Sequence, residues 1–421
     1  MKLFFQLSMA AFFAVCVGCE EDTGCACNME CDVAQACVLG KCIQQKSQCR
    51  LTGGINAVSH YQLTQIGSVQ EAHVFTDNNG QTSFCYWGFT DGVLDSRFGH
   101  QFAANSFYEE ELKLEDRQKI KCGAIHQTEN GATYVLSREE PAVVWKNNGK
   151  WVRTSLPGLQ GIEAKAAMLG PNTRISMTSG DGGIVYVALS LGSDLNNQGI
   201  YVAMLKNGVV TELMNGWAED GNHALAGHGP QILFFESVTE RAFAGIVYYD
   251  PQSFRIRILD SNFSPVSFQE GIFPIIDMTK SMPVSILFVD RNRFLRTGSI
   301  DAASFEISGE LFAYDDEGST NGQLPWTMKV DSGQSMHVAA FEPWNGANAL
   351  VYFVIGDTGV LHARRILSNQ YASFLPGGQL SSITTDLCLR ATISFVSFAD
   401  EIDASSNVIT RNFSVEVHEA F

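Results

Sequence analysis

The stretch Gly183-Ile-Val-Tyr-Val-Ala-Leu189 decides the fold class of this chain. Six apolar residues follow one glycine, and four of the six are β-branched or aromatic. Such a run is too short for a helix and rich in strand formers. The same pattern recurs outward from it, at Gly199-Ile-Tyr-Val-Ala-Met204, Gly245-Ile-Val-Tyr-Tyr249 and Ala349-Leu-Val-Tyr-Phe-Val354. Turn signals lie between such runs, as in Asp77-Asn-Asn-Gly80, Lys146-Asn-Asn-Gly149 and Lys206-Asn-Gly208. Helical periodicity is nearly absent from about residue 55 to the end. The one helix-like stretch, from Tyr108 to Lys121, is heavily charged and reads as a long connection. The chain beyond residue 55 is therefore read as all-β.

A longer period runs through these strands. Six segments place a basic residue or histidine just before small and apolar residues. They are Glu71-Ala-His73-Val-Phe75, Lys119-Ile-Lys121-Cys-Gly-Ala124, Glu163-Ala-Lys165-Ala-Ala-Met168, Gly221-Asn-His223-Ala-Leu-Ala226, Ser335-Met-His337-Val-Ala-Ala340 and Cys388-Leu-Arg390-Ala-Thr-Ile393. A seventh, Lys280-Ser-Met-Pro-Val-Ser-Ile286, fills the one large gap. The positions 73, 121, 165, 223, 280, 337 and 390 are 48, 44, 58, 57, 57 and 53 residues apart. Each interval accommodates one four-stranded unit. Short strands in repeated units, with small residues on the recurring strand, resemble a β-propeller, whose inner strands crowd around a central channel. The resemblance covers residues 55–421 and implies seven four-stranded blades. Such a ring must close. The alternating segment Asn412-Phe-Ser-Val-Glu-Val-His418 and the residues near Ile55–Ile66 are expected to complete one blade from the two ends of the chain.

The N-terminal part has a different character. Lys2 precedes an apolar stretch from Leu3 to Val17, and small residues follow it. That is the pattern of an export signal, here residues 1–18. Cys16-Val-Gly-Cys19 resembles the lipobox of bacterial lipoproteins. The resemblance implies that Cys19 becomes the first residue of the mature chain and carries the lipid. Two positions depart from that pattern, with Cys16 in place of the usual Leu and Val17 in place of Ala or Ser. Glu20, Glu21 and Asp22 fall in an acidic tether over residues 19–24.

The chain has 11 cysteines. Cys25, Cys27, Cys31, Cys37, Cys42 and Cys49 crowd into residues 25–49, a segment too short to bury a core without staples. They are read as a disulfide module whose connectivity stays open. Zinc at Cys27, Cys31, Cys37 and Cys42 is the alternative, which leaves two thiols over. The module resembles small disulfide modules near the N-termini of predicted lipoproteins of predatory and social bacteria. Of the rest, Cys85 and Cys122 fall in neighbouring repeats and are expected to pair, which leaves Cys388.

Lys plus Arg number 28 and Asp plus Glu 45, a net charge of -17. Such a chain repels nucleic-acid phosphates, so no nucleic-acid partner is assigned. After Val17 no apolar run approaches the length of a membrane span. Membrane contact is assigned to the lipid on Cys19, and the location to the bacterial cell envelope, at the outer membrane or cell surface.

Candidate chemistry gathers in the repeat. If His73, Lys121, Lys165, His223, Lys280, His337 and Arg390 hold equivalent positions, they converge on one mouth of the channel as a site for a sugar acid or another carboxylate. A metal held by His73, His223 and His337 is the alternative chemistry of that ring. No other cofactor and no catalytic residue is assigned. Ser179-Gly-Asp181-Gly-Gly183-Ile-Val-Tyr186 is a partial match to the Asp-box of sialidase-like propellers, and a plain β-turn explains it equally. The resulting expectation is a lipid-anchored envelope protein whose propeller binds an anionic ligand, a glycan or an envelope protein, or serves as a scaffold. The alternative is an extracellular propeller enzyme, a glycoside hydrolase or a His-metal-dependent one.

Overall fold

A computed structural model describes residues 35–38, 41–44, 55–64, 68–103, 106–128, 131–147, 149–169, 173–192, 198–217, 225–236, 241–277, 283–292, 294–308, 313–315, 327–331, 335–344, 347–355, 361–368, 370, 380–385, 390–406 and 408–420. The export signal, Cys19 and the tether lie outside these residues, as do Cys25, Cys27, Cys31, Cys49 and Cys388. Within residues 25–49, Gln35–Val38 and Lys41–Gln44 pair antiparallel and set Cys37 opposite Cys42 in register.

The chain beyond residue 55 is a seven-bladed β-propeller. Blades I to VII span residues 68–111, 122–155, 174–215, 228–270, 272–315, 327–368 and 381–420. Each is an antiparallel sheet built from the channel outward, in sequence order except for the outermost strand of blade VII. Blade V differs at its rim, where Ile307–Ser308 and Ala313–Asp315 both pair with Phe294–Ile300. The inner strands are Ser68–Thr76, Cys122–Gln127, Arg174–Ser179, His228–Glu236, Ile272–Asp277, Thr327–Val330 and Ser381–Thr385. Each touches the next, and the seventh returns to the first, so the ring is closed.

Closure comes from the two ends of the chain. Ile55–Gln62 pairs antiparallel with Val408–Ala420 and becomes the outermost strand of blade VII. The sequence expectation for residues near 55–66 holds. This pairing covers the edge of Val408–Ala420, which would otherwise be a template for association with other chains.

Burial on both faces explains the unbroken apolar runs. In blade IV, Ile232 and Phe234 pack on blade III beside Tyr186, Ala188 and Val202. Leu233 between them packs toward blade V beside Ile286 and Phe288. Side chains alternate across a strand, so a blade held between two others needs apolar residues at both parities. Packing within a blade is equally tight, as Gly99, opposite Phe84 on the neighbouring strand of blade I, shows. A Cβ there would lie 2.0 Å from the ring of Phe84.

Cys85 and Cys122 form the expected disulfide, with Cα atoms 6.2 Å apart. It ties the second strand of blade I to the inner strand of blade II in a fully buried cluster with Phe98, Leu112 and Ile120. The bridge closes a loop of 37 residues, which in the chain-entropy picture stabilises the fold by about 4 kcal/mol. Cys85→Ala with Cys122→Ala is expected to lower stability by about 2–4 kcal/mol. Urea denaturation of the oxidised wild type and the double variant is the check.

Two segments depart from expectation. Ser106–Glu111 is the outermost strand of blade I, so only residues 112–121 serve as the connection. Ile162–Leu169 is a helix, α1, between blades II and III. Glu163-Ala-Lys165-Ala-Ala-Met168 was expected to be a strand. Ala, Glu, Lys, Met and Leu are all strong helix formers, and Glu163 sits favourably in the first turn. Among the described residues, no helix is long and apolar enough to cross a membrane.

Candidate anion site at the channel mouth

The expected ring of seven basic side chains does not form among the described residues. The inner strands start at 68, 122, 174, 228, 272, 327 and 381, at intervals of 54, 52, 54, 44, 55 and 54 residues. The number of units matches the sequence reading, but its phase drifts. His73 lies on the inner strand of blade I and Lys121 directly precedes that of blade II. Lys165 is exposed on α1, with its Nζ 3.7 Å from Glu140. His337 is on the second strand of blade VI, and Arg390 directly precedes the second strand of blade VII. His223 and Lys280 lie outside the described residues. The drift has a simple cause: inner and second strands both start after a polar turn and both run into small apolar residues.

Each placed member has its own local environment. His73 Nε2 is 2.9 Å from Glu71 Oε1, with both side chains buried. Lys121 Nζ is 3.2 Å from Glu139 and 5.3 Å from the centre of the Trp87 ring. His337 is buried between Asp331 Oδ2, at 2.9 Å, and the Tyr352 hydroxyl, at 2.6 Å. Among the described residues, no three His, Cys, Asp or Glu side chains converge as a metal site would require. The partial Asp-box is a turn. Asp181–Gly183 forms a short 3-10 segment, and Asp181 Oδ2 accepts the backbone N–H of Arg241 at 2.7 Å.

A different constellation occupies the mouth where the inner strands begin. Glu71 sits at a bulge near the start of the blade I inner strand. Its Oε2 accepts from Arg138 Nε at 3.1 Å and from Trp87 Nε1 at 3.3 Å. Arg138 follows the second strand of blade II, and its backbone N–H donates to the Lys121 carbonyl. The glutamate and arginine side chains are each only 3 % exposed, so this ion pair is removed from water. Arg138 nonetheless keeps a buried Nη1 with no hydrogen-bond partner among the described residues.

Arg174 opens the inner strand of blade III beside this pair. Burial, and then the positive charge of Arg138, pull its guanidinium down to about 10, against the opposing pull of Glu71. Gly123 leaves room for the Arg138 stem, because a Cβ there would come within 3.3 Å of Ile175 and 3.4 Å of Arg138. His228 opens the inner strand of blade IV and is buried. Its Nδ1 lies 2.7 Å from Gln198 Oε1, an acceptor, so Nδ1 carries the proton. The lone pair on Nε2 is then buried and without a partner among the described residues. Burial, followed by the charge of Arg174, pulls this imidazole down to about 3 and holds it neutral.

At the other mouth, His126 is also held neutral, pulled down to about 3 by burial and then by the charge of Arg241. Its Nε2 is 2.7 Å from Ser179 Oγ. So low a value makes this imidazole a poor general base, and the Ser–His pair is structural. Both histidines have an ordinary value of 6.5. As pH falls, the unfolded chain takes up a proton at each below 6.5, while the folded chain stays unprotonated down to about 3. Stability present above 6.5 is thus lost as pH falls through this window, by about 1.4 kcal/mol per pH unit for each histidine. The variant His126→Gln is expected to lose less stability than the wild type between neutral pH and about pH 4.5. Urea midpoints at the two pH values are the measurement.

Comparison with known proteins bears on the fold alone. No family model matches this chain, and no curated protein matches it. Among solved structures, virginiamycin B lyase from Staphylococcus aureus is 12% identical, with a TM-score of 0.47 over 87% of this chain and 100% of that one. Aleuria aurantia lectin is 9% identical, with a TM-score of 0.41 over 82% of this chain and 94% of the lectin. A glucose dehydrogenase is 7% identical, with a TM-score of 0.41 over 70% of this chain and 94% of the enzyme. Propellers carry unrelated functions, so the ligand must be argued from this chain's own residues.

Sequence reasoning missed Arg138, Arg174 and His228 as a group. They come from blades II, III and IV. The available signal was positional: an Arg or His as first residue of two successive inner strands, visible only once the phase of the repeat is right.

Proposed function

We propose that this chain is an exported envelope protein, held by a lipid on Cys19, whose propeller binds a hydroxy-carboxylate such as a sugar acid at the mouth where the inner strands begin. The observation that carries the reading is the buried Nη1 of Arg138, which has no partner among the described residues beside a second guanidinium, Arg174. An N–H left unmade in a buried place destabilises the fold unless a ligand or water meets it. A carboxylate is the acceptor that two guanidinium groups suit best. The buried lone pair on His228 Nε2 calls for a donor, which a ligand hydroxyl supplies. A neutral sugar offers a donor to His228 but no negative charge toward Arg138 and Arg174. Inorganic phosphate keeps at least one O–H at neutral pH, so it is the competing anion that the screen below includes. Binding of this kind needs no catalytic group, and none is assigned.

The test is a thermal-shift screen of the full chain in detergent, against hexuronates, simple carboxylates, neutral hexoses and phosphate. Hexuronates are expected to raise the transition most. Equal shifts from neutral hexoses would overturn the reading. Anchoring is tested separately. The wild type expressed in a bacterial host is expected to enter the detergent phase on phase separation, and Cys19→Ala the aqueous phase. Identical partitioning of the two would remove the lipid from the account.

A further inference from the structure

A second cation, at the opposite mouth, has no role in the site just described. Arg241 opens the second strand of blade IV, directly after the inner hairpin. Its guanidinium carbon sits over the Phe234 ring, 4.4 Å from the ring centre, a cation–π contact that helps hold the group in place. Its Nε is buried and has no hydrogen-bond partner among the described residues. The same side chain lines a cavity of about 60 Å³ together with Thr178, Ile232, Phe234, Ile276, Asp277 and Val284. These residues come from blades III, IV and V, at the ends of their inner strands and the starts of their second strands.

The neighbouring carboxylates are engaged elsewhere. Asp277 Oδ1 accepts from Lys329 Nζ at 3.2 Å, and its Oδ2 from the backbone N–H of Val330 at 2.7 Å. Asp181 Oδ2 accepts the backbone N–H of Arg241, not its guanidinium. The cavity therefore has a mostly polar lining, with the Arg241 guanidinium, the Thr178 hydroxyl and the paired Asp277 carboxylate, and a smaller apolar part from Ile232, Ile276 and Val284. Its volume holds about four to six water-sized groups, which is the size of a short organic acid and too small for a sugar ring.

We propose that this cavity is a second, independent binding site, for a short-chain monocarboxylate such as propionate. The carboxylate meets the Arg241 fork, and the two-carbon tail lies against Ile232, Ile276 and Val284. The neutral state of His126 agrees with this placement. It adds no second cation to the site, and it bonds Ser179 rather than a ligand.

The test is ligand-observed saturation-transfer NMR of propionate with the full chain in detergent, followed by titration calorimetry. Variants are Arg241→Gln, Arg241→Lys and Thr178→Met, the last leaving Arg241 in place while filling the cavity. Arg174→Gln reports on the other mouth. The expected result is saturable propionate binding to the wild type, weakened about tenfold or more by Arg241→Gln. It is weakened as well by Thr178→Met and left unchanged by Arg174→Gln. If Arg241→Gln does not fold, Arg241→Lys and Thr178→Met decide. Absence of propionate binding overturns the inference, as does binding equal in all Arg241 and Thr178 variants. Binding lost only in Arg174→Gln places the acid at the first mouth. That outcome refutes the second site while leaving the reading of the first intact.

Discussion

Replacing Arg138 by Ala is expected to destabilise the propeller by about 3–5 kcal/mol, far more than an ordinary surface change. The reason is the partner left behind. Glu71 is only 3 % exposed, and Arg138 Nε is the cation held 3.1 Å from its carboxylate. Without it, Glu71 keeps hydrogen bonds to the Trp87 indole and the His73 ring, and no direct ion pair with an arginine or lysine among the described residues. A buried charge stripped of its counter-charge is among the few single changes with so large an effect. Removing both charges is a different matter. Glu71→Gln with Arg138→Met fills the same space without either charge and is expected to recover most of the loss, because an intact buried ion pair is close to neutral for stability. Urea denaturation of the wild type, the single variant and the double variant separates these cases. Equal losses in the single and double variants would show that the packing of Arg138, rather than its charge, matters.

A larger effect is expected from removing the closing strand. Residues 55–62 pair along the outer strand of blade VII, from Ile55 opposite Ala420 to Gln62 opposite Ser414. Deleting them exposes the edge of the 13-residue strand Val408–Ala420. It also removes Tyr61, and with truncation Leu63, from the cluster that packs blade VII against Phe84 and Tyr86 of blade I. An exposed edge of that length is a template for pairing with another chain. Truncation before residue 64 is expected to abolish cooperative unfolding and to produce soluble aggregates on size exclusion. A peptide spanning residues 50–64, added in trans, is expected to recover part of the monomer by restoring the missing strand. A truncated protein that melts like the wild type would show that the ring does not need this strand.

The sequence carried the architecture further than the site. Strand composition, seven units, the closing strand and the Cys85–Cys122 bridge were all legible, because each leaves a local or spacing signal. The inner-strand phase was not. A strand buried on both faces looks alike whether it is first or second in its blade, so His337 and Arg390, on or next to second strands, passed for inner positions. Lys165 passed for a strand residue because small apolar residues serve strands and helices equally. Arg138 was invisible for another reason. It lies in Arg138-Glu-Glu-Pro141, which reads as a solvated turn, and only the approach of Glu71 from the neighbouring blade turns it into a buried pair.

The central claim is that the first mouth reads a carboxylate and a hydroxyl on one ligand. Titration calorimetry of the full chain with a hexuronate and with the matching neutral hexose, on the wild type and Arg174→Gln, addresses it most directly. Arg174→Gln leaves the Glu71–Arg138 pair in place, so its effect reports on the ligand rather than on the fold. The account predicts hexuronate binding to the wild type, no measurable hexose binding, and a loss of about 10- to 100-fold in Arg174→Gln, the scale of one charge-assisted hydrogen bond. Hexose binding as tight as hexuronate, or an unchanged affinity in Arg174→Gln, would contradict it.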